Sequence, residues 1–114
     1  MARARAARDE RLMGIKAPEA KVLQQYVSLV SRLPFVEQVL AMPGYGGVGI
    51  WTVIDAEPFA DEPRDQVYDA ELKALDTRPG ALVELRLINR LEYGDEAMTW
   101  AVPAGAHVVW RRAG

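Results

Sequence analysis

Between Pro43 and Glu57 the chain reads PGYGGVGIWTVIDAE, which sets a turn directly beside a strand and limits every fold open to it. Pro43, Gly44, Gly46 and Gly47 crowd together, and glycine tolerates positive φ while proline has no backbone donor, so neither helix nor strand is expected to cross them. Immediately afterwards Val48, Ile50, Thr52 and Ile54 fall on one face of an extended chain, with Trp51, Val53 and Asp55 on the other. Both faces are largely apolar and rich in β-branched or aromatic groups. That pattern predicts a central strand covered on both sides. Pro58 ends it, leaving Asp55 and Glu57 near its C-terminal end.

A chain of 114 residues, 50% apolar and 26% charged, has the size and balance of one soluble globular domain with a core that needs neither disulfides nor metal. Cysteine is absent from the sequence, which excludes a disulfide framework, a thiol nucleophile and any cysteine-ligated cluster. No apolar run approaches the roughly 18 to 20 residues of a membrane span, and the first residues lack the apolar centre of a signal peptide, so a cytoplasmic protein without membrane contact is expected. The formal charge of -2 is unevenly spread: residues 1–16 carry a net +3 and the rest -5. Residues 1–16 therefore read as a flexible basic arm, and 17–114 as a single α+β domain.

The remaining elements follow from periodicity. Pro18 opens a helix expected to run to Leu33, with Val22, Leu23, Tyr26, Val27, Val30 and Leu33 as its apolar stripe and Pro34 as its stop. FVEQVLAM, between Pro34 and Pro43, is expected to be a strand, joined to the next by a hairpin loop of about four to six residues. Asp61 is a candidate N-cap for a second helix over Arg64 to Asp76. Strict alternation in ALVELRLINRL places Val83, Leu85 and Leu87 on one face and Leu82, Glu84, Arg86 and Ile88 on the other. Tyr93 to Asp95 breaks that pattern, a short helical turn through Trp100 follows, and His107 to Arg112 is a last short strand. A strand, a helix and a strand in sequence demand a crossover, so the third strand lies parallel to the central one. The order α-β-β-α-β-(α)-β predicts a two-layer α+β sandwich, a four-stranded mixed sheet with both main helices on one face.

Three groups of residues are candidates for function. Asp55 and Glu57 are two apart and share a side if the strand persists, and Glu84 lies on the parallel neighbour, so three carboxylates are available to a hard cation such as Mg²⁺. With Gly46 and Gly47 upstream, this set resembles the minimal nucleotidyltransferases, in which a glycine turn precedes an Asp-x-Glu pair and a later strand supplies a third acid. That resemblance implies metal-dependent phosphoryl transfer. It departs from the family in having only the strand Val48 to Ile54 where those enzymes place a helix. Gly44, Gly46 and Gly47 form a candidate ligand loop, although their spacing matches neither a dinucleotide fingerprint nor a P-loop. Arg3, Arg5, Arg8 and Arg11 are candidate nucleic-acid contacts. His107 is the only histidine and Ser28 and Ser31 the only serines, and none has a partner at catalytic spacing.

The reading that ties these features together is a non-enzymatic interaction module that acts as a homo-oligomer or with a partner protein and needs no cofactor. It expects the first and last strands to be sheet edges, short and lightly charged, hidden by pairing between subunits. The metal-dependent transferase and the nucleic-acid-binding arm are its alternatives.

Overall fold

The structure is a computed structural model and describes residues 14–44, 46–94 and 96–113. Among these residues eight elements follow one another: α1 (Ala17–Val30), β1 (Val36–Gly44), β2 (Gly47–Ile54), α2 (Asp61–Asp76), β3 (Val83–Asn89), α3 (Arg90–Tyr93), α4 (Ala97–Ala101) and β4 (His107–Arg111). The strands form one sheet in the order β3-β2-β1-β4. β1 pairs antiparallel with β2 and with β4, while β3 runs parallel to β2, so the sheet is mixed as expected. Among the described residues no helix is long and apolar enough to cross a membrane.

α1 and α2 share one face of the sheet. Val22, Leu23, Tyr26 and Val30 of α1 and Val67, Ala70 and Ala74 of α2 form a single buried cluster with Val39 and Ala41 of β1 and Val48, Ile50 and Ile54 of β2. The α1 stripe and the β2 alternation are those read from the sequence, whereas α2 turns Val67, Ala70 and Ala74 inward and leaves the larger Tyr68 and Leu72 exposed. Fully burying each large side chain contributes on the order of 1.5 to 3 kcal/mol, as an upper estimate. Ile15 packs against the same cluster, so the chain is docked from that residue on. Residues 1–13, and with them Arg3, Arg5, Arg8 and Arg11, lie outside the described residues.

Several boundaries differ from expectation. α1 stops at Val30, because the Arg32 and Leu33 amides bond three residues back, to Leu29 and Val30, in tighter turns that prepare for Pro34. β1 and β2 do enter the proline-glycine stretch: Pro43 pairs with Val48 and Gly44 with Gly47, leaving a two-residue loop in place of a longer one. Pro43 is tolerated because β4 ends opposite Ala41, so no strand needs its missing donor. Gly46 takes φ +82°, the left-handed geometry of a tight hairpin. Asp61 is the first residue of α2 and Ala60 its cap, so Asp61 supports the helix through the dipole. The break after β3 holds an additional turn, α3, capped by the Asn89 side chain accepting from Leu91 N–H at 3.2 Å.

Strand order supplies the largest correction. β1 is an inner strand, flanked by β2 and β4, and the edges are β3 and β4. Hairpin pairing with β2 leaves β1 one free edge, which the returning C-terminal strand occupies. β1 carries a bulge at Glu37 and β4 one at Val109.

Three polar groups are buried among these apolar layers, and each is satisfied. The Tyr26 hydroxyl, at the centre of α1, bonds the Thr52 hydroxyl on β2. Asn89 holds Ala56 from both sides, donating to its carbonyl at 2.8 Å and accepting from its N–H at 3.2 Å. Glu19, in the first turn of α1, accepts the Leu82 N–H at 2.9 Å and ties the helix to the start of β3. Glu71 faces this region half-buried, and desolvation raises its pKa.

Burial raises the pKa of Tyr26 above the ordinary range, an effect that the Thr52 bond opposes and nearby Glu71 reinforces. The unfolded chain releases the phenolic proton above about pH 10 while the folded chain keeps it, so the associated stability is full below that pH and is lost as pH rises further. We expect Tyr26→Phe to cost about 1 to 2 kcal/mol at pH 7, since it strands the buried Thr52 hydroxyl. Its stability then falls less steeply than wild type between neutral pH and about pH 11. Urea midpoints for both proteins across that range check this; parallel curves contradict it.

Candidate functional site

The sheet face turned away from α1 and α2 is unevenly covered. By alternation it carries Leu40 and Met42 of β1, Gly49, Trp51 and Val53 of β2, and Glu84, Arg86 and Ile88 of β3. Leu40, Val53 and Ile88 are buried, with α3 and α4 in contact with β3. Toward the β1–β2 hairpin the cover from the described residues runs out. An open groove of about 460 Å³ lies there, lined by Met42, Gly49, Trp51, Leu82, Glu84 and Pro103 among others. A neighbouring groove shares Gly49, Trp51 and Glu84 and continues to Arg86 and Trp100.

Local sequence explains this floor. Gly49 and Trp51 are two apart on one strand and so share a face, and the indole lies back over Gly49, where an added Cβ would come within 2.8 Å of the ring. The bare glycine therefore lets Trp51 lie flat on its own strand. Gly105, in the turn before β4, approaches the end of the Met42 side chain and closes one wall. Leu82 and Trp100 remain 60% and 70% exposed at the rim. Glu84 and Arg86 pair with each other beside them, exposed. The arrangement is an apolar trough with a balanced charged rim, suited to covering by another apolar surface.

The carboxylates named from the sequence do not meet. Asp55 follows Ile54, which pairs with Asn89, whereas Glu84 pairs with Gly49. Six residues of strand separate the two positions, about 20 Å at the rise of a parallel strand. Asp55 turns toward Arg90 at 3.9 Å, and Arg90 is itself clamped by both oxygens of Glu37, each at 2.6 Å. Glu57 is exposed beyond the end of β2. Among the described residues no three acidic or histidine side chains are placed to hold a metal ion. His107 is exposed opposite Ala41 on β4.

The Glu37 clamp went unread in the sequence because a bulge aims that carboxylate, and its partner lies 53 residues away. It lines a separate, polar depression of about 510 Å³ with Gln38, Arg111 and Arg112, at the sheet end away from the hairpin. The cations there are engaged. Arg111 donates to Gln38, and Arg112 donates to the carbonyls of Ser31, Leu33 and Val36 while lying 5.0 Å from the Trp110 ring.

The candidate ligand loop divides into different roles. Gly44 and Gly47 line the groove, but Gly47 is fixed by packing: a Cβ there would sit 2.1 Å from the Leu82 carbonyl oxygen, which accepts the Val48 N–H at 2.9 Å. Gly44 has open space where its Cβ would be. Accordingly Gly47→Ala should cost about 1 to 3 kcal/mol by forcing β2 and β3 apart, and Gly44→Ala less than about 0.5 kcal/mol. Denaturant unfolding of the two variants decides it, and equal stabilities would contradict the packing role of Gly47. No protein-family model matches this chain, and neither a curated protein nor a solved structure matches it.

Proposed function

We propose that this chain is a cytoplasmic, non-enzymatic interaction module that works as a homo-oligomer. The observation that carries the reading is the apolar trough over Trp51 and Met42, with Leu82 exposed at its rim and Trp100 exposed in the adjoining groove, on a sheet face that the described helices leave partly bare. Apolar surface gathered in one place is costly to leave in water and marks a site of association. A second copy is the partner because the same sheet ends in two outer strands, β3 and β4, whose free sides offer backbone donors and acceptors to another strand. Pairing between copies satisfies those groups at an edge that borders the trough, and a twofold arrangement closes without leaving a new edge at the seam.

The expected outcome is reversible, concentration-dependent dimerisation of the full chain in sedimentation velocity between low and high micromolar concentrations. Replacing both rim residues, Leu82→Ser with Trp100→Ser, weakens it without unfolding the chain, since both side chains are largely exposed. A sedimentation coefficient that stays at the monomer value throughout rejects the reading.

A further inference from the structure

We propose that two copies join through β3, antiparallel to β3 of the second copy, about a twofold axis passing through Leu85. This rests on the self-association reading and names its seam. The sequence of β3 and its preceding residue, Leu82-Val83-Glu84-Leu85-Arg86-Leu87-Ile88, is a chemical palindrome centred on Leu85. A strand meeting itself about that centre sets Leu85 against Leu85, Glu84 against Arg86, Val83 against Leu87 and Leu82 against Ile88. Each pair is either apolar with apolar or acid with base, and such cross-strand matches stabilise a ladder while like charges opposed weaken it.

The backbone agrees with this register. Val48 N–H bonds the Leu82 carbonyl, so by the alternation of a parallel ladder the N–H and C=O groups of Glu84, Arg86 and Ile88 face β2. Those of Val83, Leu85 and Leu87 face outward. Among the described residues no hydrogen bond reaches the Val83, Leu85 or Leu87 backbone from that outer side. An antiparallel pairing about Leu85 then makes Leu85 with Leu85, and Val83 with Leu87, the hydrogen-bonded pairs. Glu84 and Arg86 fall at the non-bonded positions, where Cα atoms come within about 4.5 Å and side chains are closest. Glu84 and Arg86 are 62% and 63% exposed in the single chain and satisfy each other there, so exchange between copies needs no buried charge.

The two edges are unlike. β4 carries the bulge at Val109 and, paired with itself, would set His107 against Arg111, two basic groups. β3 has no bulge over its seven residues, no proline and no net charge. Val83, Leu85 and Leu87 are only half-buried beneath the helices, and the same three residues of the second copy complete their cover. A seam of one seven-residue strand pair is small beside the roughly 1,600 Å² of a standard stable interface, so a reversible dimer is the expected outcome.

Sedimentation velocity on the full chain, as wild type, Glu84→Arg, Arg86→Glu and the double variant, tests the seam. Each single change opposes like charges twice per dimer and weakens association about tenfold. The double change restores it to within about threefold of wild type, because with both charges exchanged each acid again meets a base across the seam. Equal melting temperatures certify the monomer fold. Independently, amide exchange at Val83, Leu85 and Leu87 in wild type slows as concentration rises. An oligomer indifferent to the single changes, or one that protects β4 instead, overturns the β3 seam and leaves self-association standing. A wild type that is monomeric throughout overturns both.

Discussion

β2 must be covered on both faces, and nearly every other feature answers to that demand. Its inward residues Val48, Ile50 and Ile54 need a layer of helix, and α1 and α2 supply it over one side of the sheet. Val53 on the reverse is equally buried, yet among the described residues no further long helix covers it. The chain meets that need with short pieces, α3 and α4, and with the indole of Trp51 laid over Gly49. Cover of this kind is local. It reaches Val53 and Ile88 and leaves the hairpin end bare.

Polar groups fix where the layers sit. Apolar packing alone allows a helix to slide along a sheet, since dispersion and burial have little direction. Glu19 at one end of α1 holds the start of β3, Tyr26 in the middle holds Thr52, and Arg112 reaches from the end of β4 to the carbonyls that follow α1. These contacts join α1 to three strands at separate points along its length. The close approach of Gly47 to Leu82 then sets β3 against β2 without slack. The buried Tyr26–Thr52 pair is the expensive one to separate, and with the others it gives a small core one register.

How much of this was legible in the sequence depends on whether the cause is local. The alternation of Val48, Ile50, Thr52 and Ile54, the stripe of α1 and the crossover between β2 and β3 are set by neighbours in the chain, and they fixed the layers and the mixed sheet. Strand order was not legible, because whether β1 lies inside or outside depends on where the last strand returns, a contact between residues some seventy positions apart. The proposed meeting of Asp55, Glu57 and Glu84 failed on the same ground: two parallel strands bring acids together only when their register matches. That register is set at the far end by Gly47 and Leu82. The Glu37 to Arg90 clamp needed a bulge that no propensity announces.

The two ends of the sheet therefore carry different chemistry for a physical reason. At the end holding Glu37, Asp55, Arg90, Arg111 and Arg112, long side chains reach across from separate elements, and each charge has found a partner within the chain. At the hairpin end the floor and walls are glycine, proline, leucine, methionine and tryptophan, which exchange little with one another except contact, and the Glu84–Arg86 pair is confined to the rim. Charged groups that already hold bonds within the chain gain less from a partner, because a new contact first replaces a bond already made. A bare apolar trough beside an unpaired strand loses nothing when covered, and gains in proportion to the area removed from water. Gly14 lies beside Pro43 at that same end, so the chain enters the described fold next to the trough. Whatever the chain meets, the favourable place to meet it is where its own short helices stop.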